Sequence, residues 1–206
     1  MMRNVMYKGR SIAVSKVVCI GRNYVEHIEE LGNEIPENMV VFNKPNSAII
    51  DRLYYFSPEC RFEGEICFLM EKGIIAGVGF GLDLTHADIQ NRLKKKGLPW
   101  ERAKAFDGSA VLSDFVPLLD PVEDLVMKLY VNGKLQQFAT YDLMMYKPSA
   151  MLEEIKSFMT LEEGDIIMSG TPKGVATYNE GDRFRGEVFA GEKLLVEAEW
   201  VAELQR

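Results

Sequence analysis

Apolar residues in this chain fall in short runs broken by Gly, Pro, Asn and Asp, and only a few stretches repeat at helical spacing. Such runs predict strands over Val17–Ile20, Met39–Asn43, Phe62–Met70, Ile74–Leu82, Leu125–Val131, Asp165–Met168, Phe184–Phe189 and Leu194–Trp200. Asn132-Gly133 is a two-residue hairpin signal, with the chain returning through Lys134–Phe138, and Gly191-Glu192 predicts a second hairpin. Helix signals are fewer. Asn23-Tyr-Val-Glu26 has the form of a capping box opening a short helix that stops at Gly32. Thr85-His-Ala-Asp88 predicts a helix start running through Lys96 to Gly97, with Lys94, Lys95 and Lys96 in the last turn where cations suit the dipole. Pro148 opens a third helix to about Met159, with Met151, Leu152, Ile155 and Phe158 on one face. Strands outnumber helices and do not alternate with them, which predicts an α+β, mostly β architecture rather than a doubly wound one. No linker-like or repetitive segment divides the 206 residues, so one domain spanning 1–206 is expected.

Composition narrows the function classes. Lys and Arg total 24 against 31 Asp and Glu, a net charge of −7, so the chain lacks the basic field that nucleic acid or an anionic membrane surface requires. The longest nearly apolar run, Ile74–Leu82, falls well short of the ~20 residues of a membrane span. The N-terminal residues carry no apolar segment of the signal-peptide kind, and the three cysteines make no C-x-x-C. A reduced, cytoplasmic setting is therefore expected, without a disulfide scaffold. With only two histidines, any metal would be held mainly by carboxylates, which favour hard ions such as Mg²⁺ or Mn²⁺.

Candidate chemistry concentrates in a few segments. On one continuous strand, Glu63 and Glu65 point the same way roughly 7 Å apart, and like charges so placed call for a cation. The same alternation also fits the solvent face of an amphipathic strand. Asp83 ends the apolar run that begins at Gly73, where a strand meets a helix start, and can equally be a turn residue. His27 and Glu30 stand at i, i+3 and share a helix face, as a base and its orienting carboxylate would, or as a surface pair on a charged helix would. Lys104, between two alanines, reads on local grounds as a surface lysine that can also reach a pocket. Ser169-Gly-Thr-Pro-Lys-Gly-Val offers backbone N–H groups and the Thr171 hydroxyl to an anion but is not a Walker loop.

Taken in order, these segments resemble the fumarylacetoacetate hydrolase family. The likeness rests on Cys19-Ile-Gly-Arg-Asn-Tyr-Val-Glu-His-Ile-Glu-Glu30-Leu-Gly32, Phe42-Asn-Lys-Pro45, Glu63-Gly-Glu65 and Leu82-Asp83-Leu-Thr85. It continues through Lys95-Lys-Gly-Leu-Pro-Trp100-Glu-Arg-Ala-Lys104 and Leu161-Glu-Glu-Gly-Asp-Ile-Ile-Met-Ser-Gly170-Thr-Pro-Lys-Gly-Val175. The branch that includes acylpyruvases and 5-carboxymethyl-2-hydroxymuconate isomerases is the most similar. The resemblance implies a mixed-sheet β-roll with a few peripheral helices, a homodimer, and an Mg²⁺ or Mn²⁺ site. It implies that Glu63, Glu65 and Asp83 hold the metal, and that His27, Glu30 and Lys104 are catalytic. Residues 23–32 would then form a mobile lid, and Arg22, Gln90, Gly170 and Thr171 would bind substrate. Two positions depart from the family pattern: Phe62 replaces a common His, and Ala87 replaces a common Arg.

The implied substrate is a small 2-oxo acid that reacts through a stabilised enolate. Acylpyruvate C–C hydrolysis and oxaloacetate decarboxylation are the first expectations, and isomerisation or tautomerisation of a muconate-like or oxaloacetate-like acid is the alternative. A catalytically idle binding protein is the rival from another class, and Ala87 is the only feature that favours it.

Overall fold

The computed structural model describes residues 2–26 and 37–205. Its strands are β1 (Asn4–Tyr7), β2 (Arg10–Ala13), β3 (Lys16–Gly21), β4 (Val40–Pro45), β5 (Ile49–Ile50), β6 (Tyr54–Tyr55), β7 (Cys60–Phe62), β8 (Gly64–Glu71), β9 (Ile74–Asp83) and β10 (Thr85–His86). They continue with β11 (Ala110–Leu112), β12 (Val116–Pro117), β13 (Leu125–Val131), β14 (Lys134–Thr140), β15 (Ile166–Met168), β16 (Ala176–Thr177), β17 (Arg183–Ala190), β18 (Lys193–Val201) and β19 (Glu203–Leu204). The described helices are α1 (Ala87–Lys95), α2 (Glu101–Lys104) and α3 (Pro148–Phe158).

A mixed sheet runs in the order β4-β3-β15-β8-β9-β11-β5, with β12 added beside β9. The antiparallel sheet β14-β13-β17-β18 packs against it, and a small sheet β10-β7-β16 closes one end. The central pair β8 and β9 is buried almost throughout, so both strands read as continuous apolar runs instead of alternating ones. Ile66, Phe68, Val78, Phe80 and Leu82 face the antiparallel sheet and meet Leu125, Met127, Leu129 and Val188. Cys67 and Leu69 face the other way, into a second cluster with Tyr7, Val17, Cys19, Phe115 and Met168. Glycines at alternate positions of β9 admit that second cluster. A Cβ on Gly79 would lie 2.9 Å from the Phe115 ring, and one on Gly81 would lie 2.7 Å from Cys67 Sγ.

Both predicted hairpins form. Asn132 and Gly133 take φ of 51° and 78°, the twist a two-residue turn between right-twisted strands demands. Two expectations need correction. The run Phe62–Met70 is not one strand: the chain leaves the small sheet after Phe62 and enters the large one at Gly64, with Glu63 at the changeover. The helix expected from Thr85 starts at Ala87 instead, because Thr85 and His86 pair with Arg61 and Cys60 as β10. No described helix is long and apolar enough to cross a membrane.

Candidate metal centre and its cleft

Register builds the carboxylate cluster. The antiparallel pairing of β8 with β9 sets Gly64 opposite Leu82 and Glu65 opposite Gly81, which puts Glu63 across from Asp83, whose N–H donates to the Glu63 carbonyl at 2.8 Å. Odd-numbered residues of both strands share one face, so all three acids converge at the sheet end. One carboxylate oxygen from each of Glu63, Glu65 and Asp83 lies within 4.8 Å of the others. Glu65 and Asp83 are buried, while Glu63 is half-buried.

Two lysines answer the repulsion that the sequence spacing raised. Lys104 Nζ stands 2.9 Å from Glu63 Oε2 and 2.7 Å from Asp83 Oδ2. Far from being a surface side chain, Lys104 is only 3% exposed. Burial pulls its pKa down, but Asp83 and Glu63 outweigh burial and hold it above the ordinary lysine value. Lys44 comes from β4 and is fully buried, with Nζ 2.8 Å from Asp83 Oδ1. It also donates to the Lys104 carbonyl. Sequence reasoning missed Lys44; its only signal is a lone cation in the strand-like Phe42-Asn-Lys-Pro. Thr85 was read as a helix cap but donates its hydroxyl to Glu63 Oε1 at 2.9 Å.

The loop after β15 completes the site. Gly170 N–H donates to Glu65 Oε2 at 2.6 Å, and its φ of +96° with Asn23 Cβ only 2.7 Å from a would-be Cβ leaves room for glycine alone. Thr171 is buried beside it. Burial first, then Asp83 and Glu63, push the Glu65 pKa well above the usual carboxylate range, and the Gly170 amide only partly offsets this. Beyond Lys104 opens a cleft of about 400 Å³ lined by Val41, Phe42, Pro99, Trp100 and Lys104, among others. Lys104 Nζ lies 5.2 Å from the Phe42 ring centre, and Lys94 Nζ lies 5.4 Å from that of Trp100. Burial, then Arg22, lower the Lys94 pKa, so cations crowd this side of the site.

Among the residues expected to act, the structure thus brings together Glu63, Glu65, Asp83, Lys104, Gly170 and Thr171. Arg22 is half-buried just after β3 with φ of +56°. Gln90 sits half-buried on α1 and makes no hydrogen bond to the cluster among the described residues. His27, Glu30 and most of the expected lid lie outside the described residues. The two departures have local explanations. Phe62 packs edge-on against Phe184 at 5.0 Å in the core, on the face opposite Glu63. Ala87 is the first residue of α1 and is buried behind His86, whose ring packs 4.1 Å from that of Phe106.

The residues fit a hard divalent ion. They present only oxygen donors, and oxygens on opposite sides of an ion at about 2.4 Å are about 4.8 Å apart. Asp83 Oδ1, moreover, is buried with an ammonium at 2.8 Å, the Lys44 Nζ, and makes no hydrogen bond of good geometry, so it keeps lone-pair capacity for an ion.

Fold and site together define the class: the chain belongs to the fumarylacetoacetate hydrolase family. The profile described as fumarylacetoacetate (FAA) hydrolase, C-terminal, matches residues 16–204. Oxaloacetate tautomerase YcgM of Escherichia coli is 39% identical over 189 residues, covering 82% of this chain and 86% of that protein. The human mitochondrial oxaloacetate tautomerase FAHD1 is 34% identical over 191 residues, covering 84% and 86%. The crystal structure of fumarylpyruvate hydrolase from Pseudomonas aeruginosa, in complex with Mn²⁺ and pyruvate, superposes with a TM-score of 0.89 at 28% identity over 99% of this chain and 97% of that one.

Proposed function

We propose that this protein is a divalent-metal-dependent enzyme of small 2-oxo acids that interconverts keto and enol forms, with oxaloacetate as its first substrate. The observation that carries the reading is the convergence of Glu63, Glu65 and Asp83 within 4.8 Å beside a buried Lys104. Glu63, Glu65 and Asp83 would hold Mg²⁺ or Mn²⁺. When bound, that ion supplies the positive charge that gathers two adjacent oxygens of a 2-oxo acid and acidifies the carbon next to the keto group.

The side chains account for the rest. Lys104 stays protonated between two carboxylates and presents an ammonium to negative charge developing on the substrate. The Thr171 hydroxyl lies beside Gly170, whose N–H is committed to Glu65, and Arg22 and Lys94 add positive charge on the cleft side. His27 and Glu30 would move the proton between carbon and oxygen. If they activate water instead, the same site hydrolyses an acylpyruvate. This second reading is favoured by the likeness to fumarylpyruvate hydrolase over nearly the whole chain. A homodimer is part of the proposal. The edge strand β14 leaves Leu135 and Phe138 exposed, the apolar surface a second copy would cover.

The test is a panel of 2-oxo acids assayed with and without Mg²⁺ or Mn²⁺, following both enol absorbance and pyruvate release. The reading expects metal-dependent equilibration of oxaloacetate. If neither signal exceeds the buffer rate with either metal, the reading is wrong.

A further inference from the structure

We propose that Gln137 is a positioning residue of this site: its buried amide holds the Thr171 hydroxyl as an acceptor, so that the hydroxyl proton is directed to the substrate. The proposal rests on the function proposed above and adds to it a residue from the opposite sheet. Gln137 lies on β14 and is 1% exposed. Its Oε1 accepts the Gly64 N–H at 2.8 Å, while its Nε2 donates to the Pro172 carbonyl at 3.0 Å and to Thr171 Oγ1 at 2.8 Å. The two backbone partners fix which end of the amide is which, because an N–H must meet an oxygen and a carbonyl must meet a donor. Thr171 therefore receives a hydrogen bond from Gln137, and its own proton must point elsewhere.

The sheet is shaped for this contact. The β13·β14 register shifts between Leu129, paired with Gln137, and Tyr130, paired with Leu135, which leaves Gln136 without a cross-strand partner on β13. A bulge of this kind re-aims neighbouring side chains. Gln136 Nε2 accordingly donates to the Gly174 carbonyl at 2.8 Å while Gln137 reaches Thr171. Gly64, between the two site glutamates, admits the amide: a Cβ there would lie 3.0 Å from Gln137 Oε1. One side chain thus ties the Glu63–Glu65 backbone to the loop that carries Thr171.

The experiment is a double-mutant cycle on oxaloacetate with Mn²⁺. Gln137→Met removes every bond. Gln137→Leu removes the same bonds with a different apolar shape. Thr171→Val removes the hydroxyl, and Thr171→Ser restores it. We expect both Gln137 variants and Thr171→Val to lower kcat by about tenfold or more, up to the roughly 10²–10³-fold that loss of a preorganised donor can cost. KM and the Mn²⁺ dissociation constant should each move by less than about threefold. Thr171→Ser should recover most of the rate, and adding Gln137→Met to Thr171→Val should cost little more. The Gln137 side-chain amide protons should exchange slowly and shift in Thr171→Val. Retention of the parental kcat in either Gln137 variant overturns the proposal, as do losses that multiply in the double variant or amide protons that exchange freely. If the parent protein shows no metal-dependent turnover, the proposed function falls and this proposal with it. Turnover in the parent with multiplying losses removes this proposal alone.

Discussion

Removing Lys44 should destabilise the metal-free protein far more than the metal-loaded one. Fully ionised, the three acids of the cluster carry three negative charges against the two that Lys44 and Lys104 return; with the Glu65 proton that its raised pKa favours in the metal-free protein, the two lysines match the two charges that remain. Lys44→Met keeps most of the stem volume and deletes the ammonium 2.8 Å from Asp83 Oδ1. Removing one partner of a buried ion pair costs about 3–5 kcal/mol. Here the lower end applies, because Asp83 keeps Lys104 at 2.7 Å and the Lys104 carbonyl keeps the Ser109 hydroxyl at 2.9 Å. For a chain of this length about 1 kcal/mol moves Tm by 2–4 °C, so a loss of about 3 kcal/mol predicts a fall of about 6–12 °C in chelator. A divalent ion would restore the missing charge, so saturating Mn²⁺ should shrink that fall to less than half, and Mn²⁺ should bind the variant at least as tightly as the parent. Differential scanning calorimetry with and without metal, together with titration calorimetry, measures both effects. A metal-free Tm within about 2 °C of the parent, or an equal fall with and without Mn²⁺, would refute the charge argument.

Other perturbations probe separate parts of the site. Because the Glu65 pKa is raised, protons compete with the ion above the ordinary carboxylate range, so Mn²⁺ affinity should fall as pH is lowered from about 8 to 5. The metal-free protein should show the opposite sign. Its folded form holds that proton more tightly than the unfolded chain, so its stability falls as pH rises through the raised pKa, and melting curves across the same range check it. Gly174→Ala forces a side chain onto φ of +97° and a Cβ to 2.2 Å from the Gln136 carbonyl oxygen. It should cost about 1–3 kcal/mol in urea unfolding and lower kcat by shifting the Thr171 loop. His27→Ala should lower acylpyruvate cleavage by about 10²-fold or more if His27 serves water activation, and a matching loss of oxaloacetate tautomerisation would assign it to proton transfer in both reactions.

The sequence disclosed the site where chemistry and strand parity coincide. Glu63, Glu65 and Asp83 stand out because they are charged residues at the ends of long apolar runs, Glu63 and Glu65 where one begins and Asp83 where the other stops. Parity alone placed the two glutamates on a shared face, and the extra closeness of Asp83 comes from register, which no local pattern states. Lys104 was legible as a residue but not as a buried one. Its neighbours Ala103 and Ala105 give no periodic signal, and its burial follows from a four-residue helix, α2, too short to read from spacing. Thr85 was misread because a Thr-x-x-Asp pattern suits a helix cap, whereas pairing with β7 turned its hydroxyl to Glu63.

What stayed hidden depends on contacts between segments far apart in the chain. Lys44 reaches Asp83 across 39 positions, and Gln137 reaches Gly64 across 73. Both residues look ordinary locally: a lysine before a proline, and one glutamine of a pair after a hairpin. Their common property is that each is a long polar side chain carried on a strand and buried to 1% exposure or less. Such a group is costly to bury unless every polar atom is answered, so its persistence in a packed sheet points to a partner that needs it. For Lys44 that partner is the acid cluster, and for Gln137 it is the loop that carries Thr171. The two longest polar side chains buried to 1% exposure or less, Lys44 and Gln137, therefore both lead to the acid cluster and its loop. They do separate jobs there: Lys44 balances charge, and Gln137 sets the direction of a hydroxyl.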